Sequence, residues 1–223
     1  MSGGFVGAVL ASLIPGLFWL WYFRRYDVGD KEPAARLVQC LLFGALAVIP
    51  ALSWEAPYRD LLQGSNSLPV QLALSFLVVG LGEEFFKLLA VYLAVGRAEE
   101  FSEPMDGILY AIAGGIGFSV VENVLYILAF GLAAAPLRGT AASLAHIAFS
   151  GLAGYYLGRA RFGTKPLRTA ATGLAVAAGA HGLYDFLLIT QTVSPPVVVL
   201  LIAGLQYLLF AAIGRAVRLP SQR

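Results

Sequence analysis

The chain has 223 residues, 59% hydrophobic and 13% charged, with a mean hydropathy of +0.78 and a formal net charge of +2. Soluble domains carry about 25% charged residues, so this composition excludes an ordinary soluble globular protein and points to a polytopic membrane protein. The small net charge, with no Lys/Arg-rich run, argues against nucleic acid as a partner, and Cys40, the single cysteine, excludes an intrachain disulfide and a cysteine-based metal site.

Seven apolar runs follow, at roughly 3–23, 35–53, 68–95, 107–131, 139–158, 169–190 and 196–214. Each is long enough, at ~1.5 Å per residue, to cross ~30 Å of hydrocarbon. Lipid offers the backbone no hydrogen-bond partners, so helices are expected. The predicted fold class is all-α, a polytopic transmembrane helix bundle of about seven spans, forming one integral-membrane domain over residues 1–223.

The first run is too long for a signal-peptide core and lacks a basic start, so it is expected to be a retained helix. Between the runs lie "DVGDKEP", "GSNSLP", "EPMDG", "PLRG", "FGTKP" and "SPP". The loop after the first run holds Arg24, Arg25, Lys31 and Arg36, and the loop after the third holds Arg97. Arg159, Arg161, Lys165 and Arg168 follow the fifth run, and Arg215, Arg218 and Arg223 form the tail. Only Arg59 and Arg138 fall on the other face. This alternation predicts an N-terminus outside and a C-terminus in the cytoplasm. The third run is long enough to tilt or to start late, near Gln71.

Spans three to six alone carry intramembrane charge: Glu83, Glu84 and Lys87, then Glu122, then His146, then His181 and Asp185. A charge at the bilayer centre costs at least ~2.5 kcal/mol on insertion scales. At ~1.5 Å per residue, Glu122, His146 and His181 lie ~10–14 Å from the outer face and Glu83 ~17–22 Å, so one shared layer in the middle or outer half of the membrane is expected. Glu83 and Lys87 are i, i+4, and Glu84 and Lys87 are i, i+3. Adjacent glutamates point about 100° apart on a helix of 3.6 residues per turn, which predicts that only one faces the shared centre, with Glu83 preferred. The other would pair with Lys87 or with a neighbouring helix. Asp185, at i+4 from His181, is placed to fix its tautomer. Asn123 and Tyr126 make span four polar at the level of Glu122. Glycines in "AGGIGF" and at Gly151, Gly154 and Gly158 form small-residue faces for close packing.

Carboxylates and imidazoles in a low-dielectric site suit hydrolysis. A glutamate can take a proton from water while a histidine stabilises the oxyanion or protonates the leaving amine. The same ligand types suit zinc, with Glu83, Glu122, His146, His181 and Asp185 as candidates, although no HExxH helix is present. Ser119, Ser143 and Ser150 lie in spans without a GxSxG turn, and Asp185 is the single intramembrane aspartate, so serine and aspartyl-dyad mechanisms fit poorly. The alternative class is a proton-coupled transporter or channel using these residues as a relay.

Four motifs in chain order carry a resemblance: "EEFFK" (Glu83, Glu84, Lys87), "FSVVENVLY" (Glu122, Asn123, Tyr126), "AHIAFSGLAGYYLG" (His146, Gly151, Gly154) and "HGLYDF" (His181, Asp185). With "RRYDVGDKEP" they resemble the PrsW family of intramembrane proteases, which is related to CAAX-type prenyl proteases and bacterial CPBP proteins. The resemblance implies a bacterial cell-membrane protease that makes the first cut in a membrane-anchored protein, such as an anti-sigma factor, on its outer side. The lipid bilayer and that protein substrate are then the partners. It implies Glu83, Glu84, Glu122, His146 and His181 as catalytic, with Lys87, Asn123 and Asp185 in support. It leaves open whether zinc or a glutamate-activated water without metal does the work.

Overall fold

A computed structural model describes residues 3–28 and 31–219. Gly29 and Asp30 of the first loop and Arg223 of the tail lie outside the described residues. The helices are α1 (Gly3–Arg24), α2 (Ala34–Glu55), α3 (Arg59–Gly64), α4 (Leu68–Ala73), α5 (Leu81–Val95), α6 (Pro104–Phe130), α7 (Ala135–Leu137), α8 (Ser143–Phe162), α9 (Pro166–Thr190) and α10 (Pro195–Ala216). Two π-helical segments, Leu74–Gly80 and Arg138–Ala142, lead into α5 and α8. No strand occurs among the described residues, so the chain is an all-α bundle.

Proline opens α6, α9 and α10, where its missing N–H is one the helix leaves unpaired in any case. The start of α6 is further closed by a reciprocal box between Glu103 and Asp106. At the other end of α5, the Arg161 guanidinium donates to the carbonyls of Phe101 at 2.6 Å, Ala98 at 2.9 Å and Gly96.

Five helical runs are long and apolar enough to cross a membrane: Gly4–Arg24, Ala34–Leu62, Pro104–Phe130, Pro166–Thr190 and Pro195–Ala216. The runs expected at 68–95 and 139–158 are helical but stand apart from this set. The first holds Glu83, Glu84 and Lys87, and the second is rich in small residues and ends on Arg159 and Arg161. Both supply side chains to the polar centre described below; α5 is also short, at 15 residues, because the π-helical segment Leu74–Gly80 precedes it.

Helix α6 is the axis of the bundle. In its most apolar stretch 72% of residues are buried, against 22–33% in the other four spans. It packs against α1, α2, α5 and α8, while α8 also packs against α9 and α10. The α6–α8 approach depends on missing side chains. A Cβ on Gly107 would lie 2.6 Å from the Gly154 carbonyl oxygen and 2.7 Å from the Gly158 nitrogen. Backbone cannot yield there, and small residues are what let membrane helices approach this closely. Gly107→Val should therefore lower stability by about 1–3 kcal/mol, read as thermal unfolding in detergent. Gly179→Ala, whose Cβ would meet nothing within 4 Å, should leave the transition in place.

Candidate active site

The π-helical segment Leu74–Gly80 sets the rotation at which α5 begins. Its ladder leaves the Val78 carbonyl to accept from Trp54 Nε1 at 3.1 Å. Gly80 lies against the backbone of α9, where a Cβ would come within 2.7 Å of the Ala178 oxygen and 2.8 Å of the Gly182 nitrogen. The first turn of α5 thus enters the bundle beside α9 with Glu83, Glu84 and Lys87 all buried.

Lys87 is the hub. Its ammonium donates to Glu84 Oε1 at 2.8 Å, to His146 Nδ1 at 2.9 Å and to Glu83 Oε2 at 3.0 Å. An ammonium has three N–H donors and no acceptor, so all three are used. It also lies 4.1 Å from the centroid of the Phe118 ring, a favourable place for a desolvated cation.

His146 lies between a carboxylate and the Lys87 ammonium, whereas His181 has carboxylates beside both ring nitrogens. Because His146 Nδ1 accepts from Lys87, the ring proton sits on Nε2, 2.7 Å from Glu122 Oε2. His181 Nδ1 is hydrogen-bonded to Glu84 Oε1 at 3.0 Å, and its Nε2 lies 3.3 Å from Asp185 Oδ2 and 3.8 Å from Glu83 Oε2. Phe149 stacks on the His181 ring at 4.7 Å, and the two imidazoles meet edge to face at 5.3 Å.

Spans three to six therefore bring Glu83, Glu84, Lys87, Glu122, His146, His181 and Asp185 to one place. The expected split between the two glutamates is corrected: both reach Lys87, because their side chains are long enough to close the angle between their Cα–Cβ directions. They still differ. Glu84 is held by Lys87 and His181 together, whereas Glu83 hydrogen-bonds through Oε2 alone among the described residues. Asn123 stands one step away, donating to Ser119 Oγ at 3.2 Å and Ser143 Oγ at 3.1 Å, which ties those serines into helix packing.

Two residues were not expected here. Arg138, read from sequence as an outer-face loop charge, pairs with Glu122 Oε2 at 3.1 Å and donates through Nε to Asn123 Oδ1 at 2.9 Å. Its guanidinium lies 3.9 Å from the Tyr126 ring centroid. Glu55, at the end of α2, has Glu83, Glu122 and Asp185 as electrostatic neighbours. No periodicity marks either residue. The one signal in the sequence is that Glu122 has no basic residue near it in its own span, so a partner cation has to come from another element.

The site closes at Lys87 and Glu84, each about 1% exposed, and opens at Glu122 and Asp185, near 20%. It occupies the end of the bundle where α2, α6 and α9 finish and α5 and α8 begin, opposite the basic loops. One donor atom each from Glu83, His146 and His181 lies within 4.8 Å of the others. A carboxylate and two imidazoles, each ring backed by a further carboxylate, are a donor set and surroundings that suit a zinc-type ion.

A membrane-embedded helical bundle with such a centre belongs to the class of intramembrane hydrolases. Comparison places it further: residues 32–213 match the family described as "PrsW family intramembrane metalloprotease". Similar proteins include Protease PrsW of Geobacillus kaustophilus, 35% identical over 82% of this chain and 80% of that relative. Protease PrsW of Shouchella clausii is 32% identical (82% and 84%), and that of Bacillus subtilis 31% (81% and 82%). No solved structure matches the chain. The chain belongs to the PrsW family and is an intramembrane protease. Membership decides between the hydrolytic and transport readings in favour of hydrolysis.

Removing the hub should be costly. Lys87→Met leaves Glu83 and Glu84 buried without their cation, a change that typically costs about 3–5 kcal/mol. Thermal unfolding in detergent should show the loss, and adding Glu84→Gln to Lys87→Met should recover part of it.

Proposed function

We propose that residues 1–223 act as one integral-membrane protease domain that makes the first cut in a membrane-anchored regulatory protein, such as an anti-sigma factor, in a bacterial cell membrane. The observation that carries the reading is the convergence of Glu83, His146 and His181 around the Lys87 ammonium, inside a bundle whose accessible side lies away from the basic loops. With the N-terminus outside and the C-terminus in the cytoplasm, that side is the outer one.

Glu83 is the general base for the attacking water: among the described residues it hydrogen-bonds through Oε2 alone, which leaves Oε1 for the water, and it sits between Lys87 and His181. His181 faces it through Nε2 and stabilises the oxyanion or hands a proton to the leaving amine. Glu84 and Asp185 hold the His181 ring from its two nitrogens. Glu122, itself held by Arg138, orients His146, while Lys87 holds the two adjacent glutamates close together.

The metal in the family's description would be held by Glu83, His146 and His181, which would then serve as ligands in place of the base and proton-donor roles above. When bound, it would lower the pKa of a water and polarise the scissile carbonyl. The Lys87–His146 contact would then have to open, because an ammonium and a divalent cation repel within one small, low-dielectric space.

Co-expression with a membrane-anchored substrate tests the reading. Glu83→Gln, Glu122→Gln and His181→Ala should each reduce cleavage by at least ~10²-fold while the protein stays in the membrane; full cleavage by all three sinks the proposal. A fluorescent protein fused to the C-terminus should be protected from protease added outside intact cells, and digestion there would reverse the topology.

A further inference from the structure

A second acidic cluster lies at the opposite end of the bundle, where the α1–α2 connection meets the start of α6. Asp27, Glu32 and Asp106 are 2%, 1% and 0% exposed, and Glu103 joins them half-buried. One carboxylate oxygen each from Asp27, Glu103 and Asp106 lies within 4.8 Å of the others.

Local hydrogen bonds account for only part of this charge. Asp27 Oδ2 accepts the Glu32 N–H at 3.0 Å. Asp106 Oδ2 accepts the N–H groups of Ser102 at 2.7 Å and Glu103 at 2.8 Å. The Tyr110 hydroxyl donates to Glu32. The remaining oxygens, Asp27 Oδ1 and Asp106 Oδ1, are buried with no hydrogen-bond partner.

No direct ion pair answers them, although Arg24 and Lys31 stand near Asp27. Among the described residues, no Lys, Arg or His nitrogen lies within 4.0 Å of any of these four carboxylates. Arg24 directs Nη2 to the main-chain oxygen of Glu32 at 2.8 Å, and Arg36 pairs with Glu100 at 3.1 Å. The N-terminus of α6 offers only about half a positive charge. The intramembrane carboxylates differ sharply, since Lys87 and Arg138 supply full cations to three of them. Burying a charge without a partner is costly, and two unpartnered oxygens in one cluster mark a missing positive ligand.

We propose that Asp27, Glu103 and Asp106, with Glu32 at the edge, bind one hard divalent cation of the Mg²⁺ or Ca²⁺ type. All-oxygen donors select such ions over zinc. Opposed ligands of Ca²⁺ stand about 4.6–5.2 Å apart, which the 4.8 Å span of the cluster accommodates. The ion would tie the connection between α1 and α2 to the first turn of the axial helix α6, a structural role separate from the proteolytic site.

The test uses the full-length protein in detergent, stripped with EDTA and titrated separately with MgCl₂ and CaCl₂ by calorimetry and thermal unfolding. One of the two ions should bind saturably near one per chain, with a midpoint below about 1 mM, and should raise Tm by roughly 2–4 °C. Asp27→Asn and Glu103→Gln, which leave the Asp106 cap in place, should each weaken binding at least tenfold. His146→Ala, in the intramembrane site, should bind the ion as tightly as wild type. If the stripped wild-type protein binds neither ion saturably up to about 10 mM, the proposal falls. It falls equally if Asp27→Asn and Glu103→Gln leave binding unchanged, or if His146→Ala abolishes it.

Discussion

The charged groups at the membrane-embedded centre of this protein are arranged around one ammonium. Lys87 satisfies its three donors with two glutamates of its own helix and a histidine of α8, and it rests against Phe118 of α6. Within a low dielectric, each of these groups alone would cost several kcal/mol to bury. Together they neutralise one another and fix their neighbours: Lys87 sets the tautomer of His146, and Glu84 sets the ring of His181. A cluster of ionisable groups is thereby held inside a bundle that would otherwise expel its charges.

That arrangement needs backbones closer than ordinary side chains allow. Glycines on α6 and α8 bring those helices together, so Glu122 and His146 can meet at 2.7 Å. The π-helical segment before α5 and the bare Gly80 face against α9 do the same for Glu84 and His181. The site is thus a property of helix crossings, and the small residues that permit the crossings belong to its chemistry as much as the glutamates do.

The two ends of the molecule handle carboxylates differently. At one end, charge is balanced inside the protein by Lys87 and Arg138. At the other, among the described residues, Asp27, Glu32, Glu103 and Asp106 accept from main-chain N–H groups and a tyrosine hydroxyl and lie at a helix terminus, with no cation in direct ion-pair contact. The first end contains its own cation, and the second is built to receive one.

The sequence by itself determined that this is a helical membrane protein, because hydropathy and length are properties of contiguous residues. It also identified the intramembrane Glu83, Glu84, Lys87, Glu122, His146, His181 and Asp185, since a charge within an apolar run is visible without a fold. The i, i+4 pairs Glu83–Lys87 and His181–Asp185 were legible for the same reason, being set by one helix's period. Only the tertiary structure decided which groups meet across helices. It seated both adjacent glutamates on Lys87, placed Lys87 between α5 and α8, and turned Arg138 from a loop charge into the partner of Glu122. Glu55 and the loop carboxylates acquired their neighbours in the same way. Those contacts depend on crossing distance and rotation, which side-chain volume at glycine faces and the π-helical turn control, and neither quantity is written in the spacing of any single segment.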